Sequence, residues 1–299
     1  MHINRAYPAL FITLLIWGST FVVTKIVLLE MGPLLLTGLR FILAFALLAP
    51  LAARQGFRIQ HIFHPSFFLY GLTGVALFYS FQNIGLKFTS VSSTVLIQSG
   101  VPAMTALLAV IFLRESLTAG QVIGIGLVTA GVILVGVTSA SDTNSANPTL
   151  GNLFILGSAL AWAVYTIQGR RMTSDHPALL MTTACIGAGL IFLIPFAGWE
   201  LWTSGPPHIS LAGLLGLVYL GLVGSGVTLF LWNYALHFLP ASVASPYINL
   251  IPIIGLVSAY FYGEKPPLIQ ILGGGLAILG VWLSSYNEQK KPEKQLPKK

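Results

Sequence analysis

The chain has 299 residues, of which 55% are hydrophobic and only 8% are charged, and its mean hydropathy is +0.84. An ordinary soluble domain carries about 25% charged residues, so this composition excludes a water-facing surface over most of the molecule. The formal net charge is +7, but the basic residues lie in short loops and in the tail, which argues against a nucleic-acid-binding face. Cys185 is the single cysteine, so no disulfide can form within the chain.

Ten apolar segments are each long enough to cross a bilayer as a helix, which needs about 20 mostly apolar residues. The apolar runs are continuous and lack the alternation of a membrane β-barrel. We therefore expect an all-α membrane protein of ten transmembrane helices, with lipid around it. In chain order the predicted segments are 8–29, 33–53, 66–86, 91–112, 118–138, 150–169, 178–198, 211–233, 242–262 and 267–286.

The distribution of Lys and Arg predicts the orientation of these segments. If the N-terminus is cytoplasmic, eleven of the fifteen Lys and Arg residues lie on the cytoplasmic side and three (Lys25, Lys87 and Lys265) lie on the opposite side of the membrane. The fifteenth, Arg40, lies within a predicted segment. The positive-inside rule then places both termini in the cytoplasm, in a multi-pass protein of the inner (plasma) membrane. The basic tail 287–299 is interpreted as a solvated flank of the last helix, and binding to anionic lipid is compatible with it.

The two halves of the chain repeat one another at shifts of 144 to 150 positions. This predicts a first five-helix repeat at 1–138, a linker at 139–149 and a second repeat at 150–286. Because five is odd, the second repeat enters the membrane upside down, which is typical of carriers that expose a midplane site alternately to each side. A duplication retained only for stability is the alternative. The matched pairs include Trp17 with Trp162, Asn83 with Asn233, Pro102 with Pro252 and Glu115 with Glu264.

The segments "WGSTFVVTK", "GLRFILAFALL" and "FLRESLTAGQVIGIGLVTAGVIL", with a weaker copy "FYGEKPPLIQILGGGLAILGVWL", resemble the EamA-like transporters of the drug/metabolite transporter superfamily. The resemblance covers nearly the whole chain. The second copy departs from the usual pattern at Pro266–Pro267, and the position equivalent to Arg40 is Ala184. The resemblance implies a central cavity between the repeats and export or exchange of amino acids, metabolites or drugs, without naming the solute.

Polar and aromatic residues at helical spacing within the predicted segments are candidates for the wall of such a cavity. Amides, hydroxyls and aromatic rings suit the binding of a small solute. Hydrogen bonding between packed helices, or between a hydroxyl and its own helix, is the alternative interpretation. The substrate-binding candidates are Trp17, Thr20, Tyr79, Asn83, Gln98, Trp162, Tyr165, Trp232 and Asn249.

Three further features carry charge or alter the helix. Arg40 is the one full charge well inside a segment, and it either anchors a substrate carboxylate, or binds helix-end carbonyls or extends to the membrane interface. Glu115 and Glu264, at the ends of segments, are either gate residues or helix-end charges. Pro102 and Pro252 are candidate hinges or static kinks.

Enzyme signatures such as GxxxxGK[ST], HExxH and GxSxG are missing, and the six histidines fall in predicted loops or termini. We therefore expect no enzymatic activity, no cofactor and no metal. The predicted function is secondary transport of small molecules such as amino acids or amphipathic drugs, by efflux or exchange. A channel and, less favoured, a membrane-embedded lipid-handling enzyme are the alternatives. The sequence does not indicate an oligomeric state.

Overall fold

The computed structural model describes residues 3–113, 117–139, 145–172, 177–238, 247–248 and 250–288. Over these residues the chain is almost entirely helical and contains no β-strand, so the all-α class is confirmed. The α-helices are α1 (Ile3–Val27), α2 (Pro33–Ala53), α3 (Pro65–Gly71), α4 (Phe78–Phe88), α5 (Val91–Gln98), α6 (Val101–Leu113), α7 (Ala119–Ser139), α8 (Pro148–Met172), α9 (Ala178–Ser204), α10 (Leu211–Val218), α11 (Thr228–Phe238), α12 (Leu250–Phe261) and α13 (Leu268–Glu288).

Seven stretches of these helices are long and apolar enough to cross a membrane. The helix α12 and the Leu268–Leu283 part of α13 are apolar but shorter. The predicted segment 66–86 is helical but is not among the seven, because Gln82 and Asn83 lower its hydropathy. The seven stretches are Ala6–Val27, Pro33–Ala53, Val91–Phe112, Ala119–Thr138, Pro148–Gln168, Ala178–Ser204 and Leu211–Ala235.

Two π-helical turns interrupt the predicted segments 66–86 and 211–233. Leu72–Leu77 joins α3 to α4, and Tyr219–Val227 joins α10 to α11. In the second turn, the Ser225 hydroxyl donates to the carbonyl of Leu220, five residues back, at 2.8 Å. Turns of this kind widen the helix and free carbonyls from the regular ladder, which matters below because the Gly224 carbonyl faces Arg40.

The predicted segment 91–112 is two helices, not one kinked helix. The helix α5 ends at Gln98, and the Gly100 N–H bonds the Ile97 carbonyl at 3.0 Å before α6 begins at Val101. Pro102 is thus the second residue of α6, where its missing N–H and fixed φ are tolerated. Pro252 lies in α12, and residue 249, just before that helix as described, is outside the described residues. The expectation that the proline lies inside one continuous helix is therefore wrong for Pro102.

Small residues let α7 and α13 pack against each other along their backbones. A Cβ at Gly131 would lie 2.4 Å from the Gly273 carbonyl, and a Cβ at Gly280 would lie 2.4 Å from the Gly124 carbonyl. Only glycine permits so close an approach, as in helix pairs within membranes. Large apolar side chains such as Phe112, Val137 and Phe261 instead point outward and are exposed, as the side chains that face lipid must be.

Helices from the first half of the chain pack against helices from the second half. The helix α1 packs on α11 and α12, whereas α8 packs on α4 and α6, and α2 packs along α9. Each of these pairs joins a helix before residue 139 to one after residue 147. The space enclosed between α1, α2, α4, α5 and α8 holds the cavity described next.

Candidate functional site

A cavity of about 690 Å³ lies between the first and second halves of the chain. The helices α1, α2, α4, α5, α6, α8 and α12 contribute to its wall, together with Ile248 just before α12. Eight of the residues predicted from sequence line it: Trp17, Thr20, Arg40, Tyr79, Gln98, Pro102, Trp162 and Pro252. The other lining residues are Phe21, Phe78, Gln82, Val95, Ser99, Val101, Ile248 and Ile251.

Aromatic rings form much of this wall. Trp17 meets Trp162 edge-on, with ring centroids 5.8 Å apart and an angle of 90° between the planes. Phe78 lies 4.6 Å from Trp162. These contacts hold the rings in place, so the cavity presents stiff apolar faces to a solute.

Most polar groups of the lining already have partners in the protein. The Gln98 amide donates to the Gln82 carbonyl oxygen at 3.1 Å and to the Ser158 hydroxyl at 3.2 Å. The Thr20 hydroxyl donates to the Trp17 carbonyl at 2.7 Å, and the Ser99 hydroxyl to the Leu96 carbonyl at 2.6 Å. The two hydroxyls therefore bond backbone carbonyls of the helix they belong to or directly follow, in line with the alternative interpretation given for hydroxyl side chains. The amides of Gln82 and Gln98, with the Ser158 hydroxyl, connect α4, α5 and α8 at the wall of the cavity.

Arg40 is only 1% exposed and carries the one charge among the described residues of the lining. Its Nε donates to the Ser225 hydroxyl, its Nη2 donates to the Gly224 carbonyl at 3.0 Å, and its Cζ lies 4.6 Å from the centre of the Tyr79 ring. The residue thus binds a carbonyl of the π turn, as one of the two sequence interpretations expected. Its Nη1 is buried and has no hydrogen-bond partner among the described residues.

Trp17 has a similar unpaired donor. Its Nε1 is buried and lacks a hydrogen-bond partner among the residues that the structure describes. Leaving a buried N–H unpaired costs about 1–3 kcal/mol. Two unpaired donors on residues that line one cavity indicate that a bound solute could accept hydrogen bonds from them.

Three of the described substrate-binding candidates, Asn83, Tyr165 and Trp232, do not line the cavity. Asn83 turns towards α2, where its Nδ2 donates to the Thr37 hydroxyl at 2.8 Å. On the helix, Gln82 lies between Phe78 and Tyr79, whereas Asn83 is 100° further round. The sequence-based choice of Asn83 over Gln82 therefore took the wrong face of α4, and the signal missed was Phe78 four residues earlier.

Tyr165 and Trp232 lie behind the lining. Tyr165 stacks on Tyr70 with 4.0 Å between ring centroids, over a position where only Gly74 leaves room for its ring. Trp232 lies 5.4 Å from Trp17 and supports that ring from behind. Asn249 and Glu115 lie outside the described residues.

Glu264 is remote from the cavity and caps the N-terminus of α5. Its carboxylate accepts the Val91 and Ser92 N–H groups at 2.8 Å each and the Ser92 hydroxyl at 2.7 Å. A carboxylate at a helix N-terminus satisfies free N–H groups and interacts favourably with the helix dipole. This placement fits the interpretation of Glu264 as a helix-end charge.

Glu30 and Glu200 make the same kind of contact with other helices. Glu200 accepts the Leu35 N–H at 2.7 Å, and Glu30 accepts the N–H and hydroxyl of Ser210 at 2.8 and 2.6 Å. The hydroxyl and backbone N–H of Ser210 lower the pKa of the Glu30 carboxyl below its usual value of 4.5.

Among the described residues, no three His, Cys, Asp or Glu side chains gather into a group that could hold a metal. The described lining of the cavity consists of aromatic and aliphatic faces, the amides of Gln82 and Gln98, and the polar groups of residues such as Arg40 and Trp17.

A family model described as the EamA-like transporter family matches two stretches of the chain, 4–137 and 149–286. The chain belongs to the EamA-like transporter family. Membership confirms the resemblance seen in the sequence motifs, and with the apolar helices it indicates a multi-pass membrane protein. The residues matched include Arg40, Gln98 and Trp162 of the cavity.

Relatives and a solved structure agree with this assignment to the EamA-like family. An "Uncharacterized transporter" of Archaeoglobus fulgidus is 27% identical over 295 residues, covering 96% of this chain and 99% of the relative. A "Probable terminal-alkyne amino-acid exporter" of Streptantibioticus cattleyicolor is 27% identical over 285 residues, covering 95% and 94%. A protein of known crystal structure is 19% identical, with a TM-score of 0.67 and coverage of 96% and 99%, and has the same fold. These names indicate transport rather than catalysis.

Proposed function

We propose that the protein is a secondary transporter that exports or exchanges small metabolites, such as amino acids or amphipathic drugs, by alternating access. The observation that carries this proposal is the cavity itself, which lies between the two halves of the chain. Equivalent positions of the two halves both contribute to its lining: Trp17 and Trp162, and Pro102 and Pro252. A relative named as an amino-acid exporter supports the direction and the class of solute.

The proposed architecture has ten transmembrane helices in two inverted five-helix repeats, 1–138 and 150–286, joined by a linker at 139–149. Reciprocal contacts between equivalent positions of the two repeats support this symmetry. Gly124 and Gly131 match Gly273 and Gly280 in the sequence repeat, and the contact of Gly131 with Gly273 is mirrored by that of Gly280 with Gly124. A twofold relation between the repeats requires such reciprocal contacts.

Contacts between loops support the proposed order of crossings. In the ten-helix topology, residues near 30, 88, 147, 205 and 264 share one side of the membrane. Lys25 Nζ donates to the carbonyls of Leu86 and Thr89 at 2.7 Å each, and the Asn147 N–H bonds the Phe88 carbonyl at 3.3 Å. The capping contacts of Glu30, Glu200 and Glu264 join the same set of ends. The excess of Lys and Arg on the other side supports cytoplasmic termini in the inner membrane.

Counterflow in proteoliposomes tests the proposal. Vesicles containing the purified protein are loaded with one unlabelled metabolite, and uptake of the labelled form is followed. We expect saturable uptake that depends on the internal solute. Absence of exchange across a broad panel of amino acids and amphipathic metabolites would count against a carrier, and single-channel currents would favour a channel.

A further inference from the structure

We propose that the cavity recognises a small carboxylate with an apolar body, and that the solute needs no ammonium group. This inference rests on the proposed transport function and specifies the class of solute. It starts from what the wall of the cavity lacks, namely partners for two buried donors.

The two unpaired buried groups of the lining are both donors. Arg40 Nη1 and Trp17 Nε1 are buried without a hydrogen-bond partner among the described residues. The unpaired buried amide oxygens, Asn83 Oδ1 and Asn233 Oδ1, belong to residues outside the lining. A solute that pairs these donors of Arg40 and Trp17 supplies acceptor oxygens, and a carboxylate offers two of them.

The charge of the cavity also favours an anion. Arg40 is buried, and its described partners are a hydroxyl and a carbonyl, so no carboxylate neutralises it there. The sequence has no Asp or Glu between positions 30 and 115 or between 200 and 264. In a poorly polar site such a guanidinium attracts an anion strongly and repels a cation.

The aromatic rings are the largest surface of the lining that an ammonium group could contact. Trp and Tyr faces do attract cations, but the Arg40 guanidinium already lies over Tyr79, 4.6 Å from the ring centre. A second cation nearby would meet that charge. The rings of Trp17, Trp162 and Phe78 are better suited to an apolar body.

Three ligands with the same aromatic body separate these possibilities: 3-phenylpropionate, L-phenylalanine and 2-phenylethylamine. Binding of each to the purified full chain in nanodiscs is measured by isothermal titration calorimetry. We expect 3-phenylpropionate to bind within about threefold of L-phenylalanine or more tightly, and the amine at least about tenfold more weakly than either.

Two variants assign the recognition to the donors. Trp17→Phe keeps an aromatic ring and removes only the N–H, and it is expected to weaken 3-phenylpropionate binding about tenfold. Arg40→Gln is expected to weaken it at least about 30-fold. Since Arg40 also holds the π turn, the neutral analogue 3-phenylpropionamide is compared in parallel, and its disadvantage against the carboxylate should vanish in Arg40→Gln. Trp199→Phe and Arg54→Gln, both at exposed positions, serve as matched controls with unchanged binding.

The inference is overturned if the amine binds best, if L-phenylalanine binds more than about tenfold tighter than 3-phenylpropionate, or if none of the three binds. It is also overturned if Trp17→Phe and Trp199→Phe behave alike. Saturable counterflow of a neutral or cationic solute would then leave the transport function standing without carboxylate recognition, whereas absence of any counterflow would remove the function itself.

Discussion

Asn83 and Asn233, 150 positions apart, each donate Nδ2 to a threonine hydroxyl: Asn83 to Thr37 at 2.8 Å and Asn233 to Thr182 at 2.7 Å. Both asparagines are buried, and both leave Oδ1 without a partner among the described residues. The same bond thus joins α4 to α2 and α11 to α9. A duplicated polar contact of this kind fixes the two helix pairs in the same way.

Replacing either asparagine by alanine is expected to destabilise the protein by a similar amount, roughly 0.5–1.5 kcal/mol. In either variant the threonine hydroxyl keeps a hydrogen bond, because Thr37 and Thr182 each also donate to a carbonyl of their own helix. Thermal unfolding of the purified protein in a fixed detergent measures the effect. Thr203→Ala, at an exposed position, is the control. An effect in only one of the two asparagine variants would show that the contacts are not equivalent.

The contact between α7 and α13 predicts a sharp difference between two glycines of one helix. Gly131→Ala places a Cβ 2.4 Å from the Gly273 carbonyl, whereas a Cβ at Gly126 meets nothing within 4 Å. We expect Gly131→Ala to cost about 1–3 kcal/mol and Gly126→Ala to be neutral or stabilising by up to about 1 kcal/mol. The unfolding temperature and the yield of monodisperse protein report both. Equal stability of the two variants would contradict the packing described for these helices.

The amides and rings of the cavity wall predict changes in transport rather than in folding. Gln98→Ala removes the bonds to Gln82 and Ser158 and is expected to shift the half-saturation concentration about fivefold, equivalent to about 1 kcal/mol. Trp17→Ala and Trp162→Ala, which remove whole rings, should shift it further. Counterflow at matched protein content in the membrane measures all three, with Gln55→Ala as the exposed control. Unchanged transport in the three variants would remove the cavity from the proposed site.

The contact of Glu30 with Ser210 predicts a dependence of stability on pH. The pKa of Glu30 is lowered in the folded protein, so its contribution is present above the pKa of the unfolded chain and is lost as the pH falls through the lowered value. Unfolding temperatures of the protein and of Glu30→Gln should therefore differ near neutral pH and converge as the pH falls through the lowered pKa of the Glu30 carboxyl. Convergence as the pH rises would contradict the direction of the pKa change.

Labelling of single cysteines tests the order of crossings. Because the one native cysteine, Cys185, is buried, background reaction with a membrane-impermeant maleimide is expected to be low. Gln55→Cys and Asp175→Cys should react from the cytoplasmic side and Thr203→Cys from the other side. Reaction of Gln55→Cys and Asp175→Cys from opposite sides would contradict the inverted repeat and the carrier mechanism together.

The sequence predicts the helices well because continuous apolar runs leave few alternatives in lipid. The predicted segment 33–53 coincides with α2. The break at Ser99 and Gly100 was not predicted, because a proline within an apolar run is compatible with a kink and with a new helix start. Only the bond from Gly100 to Ile97 and the position of Pro102 distinguish the two.

The candidate site was predictable where a residue lies at the centre of a polar helix face and not where it lies at the edge. Trp17, Gln98 and Trp162 line the cavity, whereas Asn83 and Tyr165 lie at the margin and turn to other helices. The unpaired state of Arg40 Nη1 has no sequence signal, because it depends on how the π turn presents the Gly224 carbonyl.

The three capping carboxylates have a consequence for how this end of the molecule tolerates change. Glu30, Glu200 and Glu264 meet peptide N–H groups, aided by serine hydroxyls, and among the described residues the contacts do not involve a Lys or Arg. The hydrogen-bond donor is in most cases a backbone N–H group, which substitution at Leu35 or Val91 leaves in place. We therefore expect substitutions of Glu30, Glu200 and Glu264 to disrupt these contacts, and most substitutions of the residues whose backbone N–H groups they bind to leave the contacts intact.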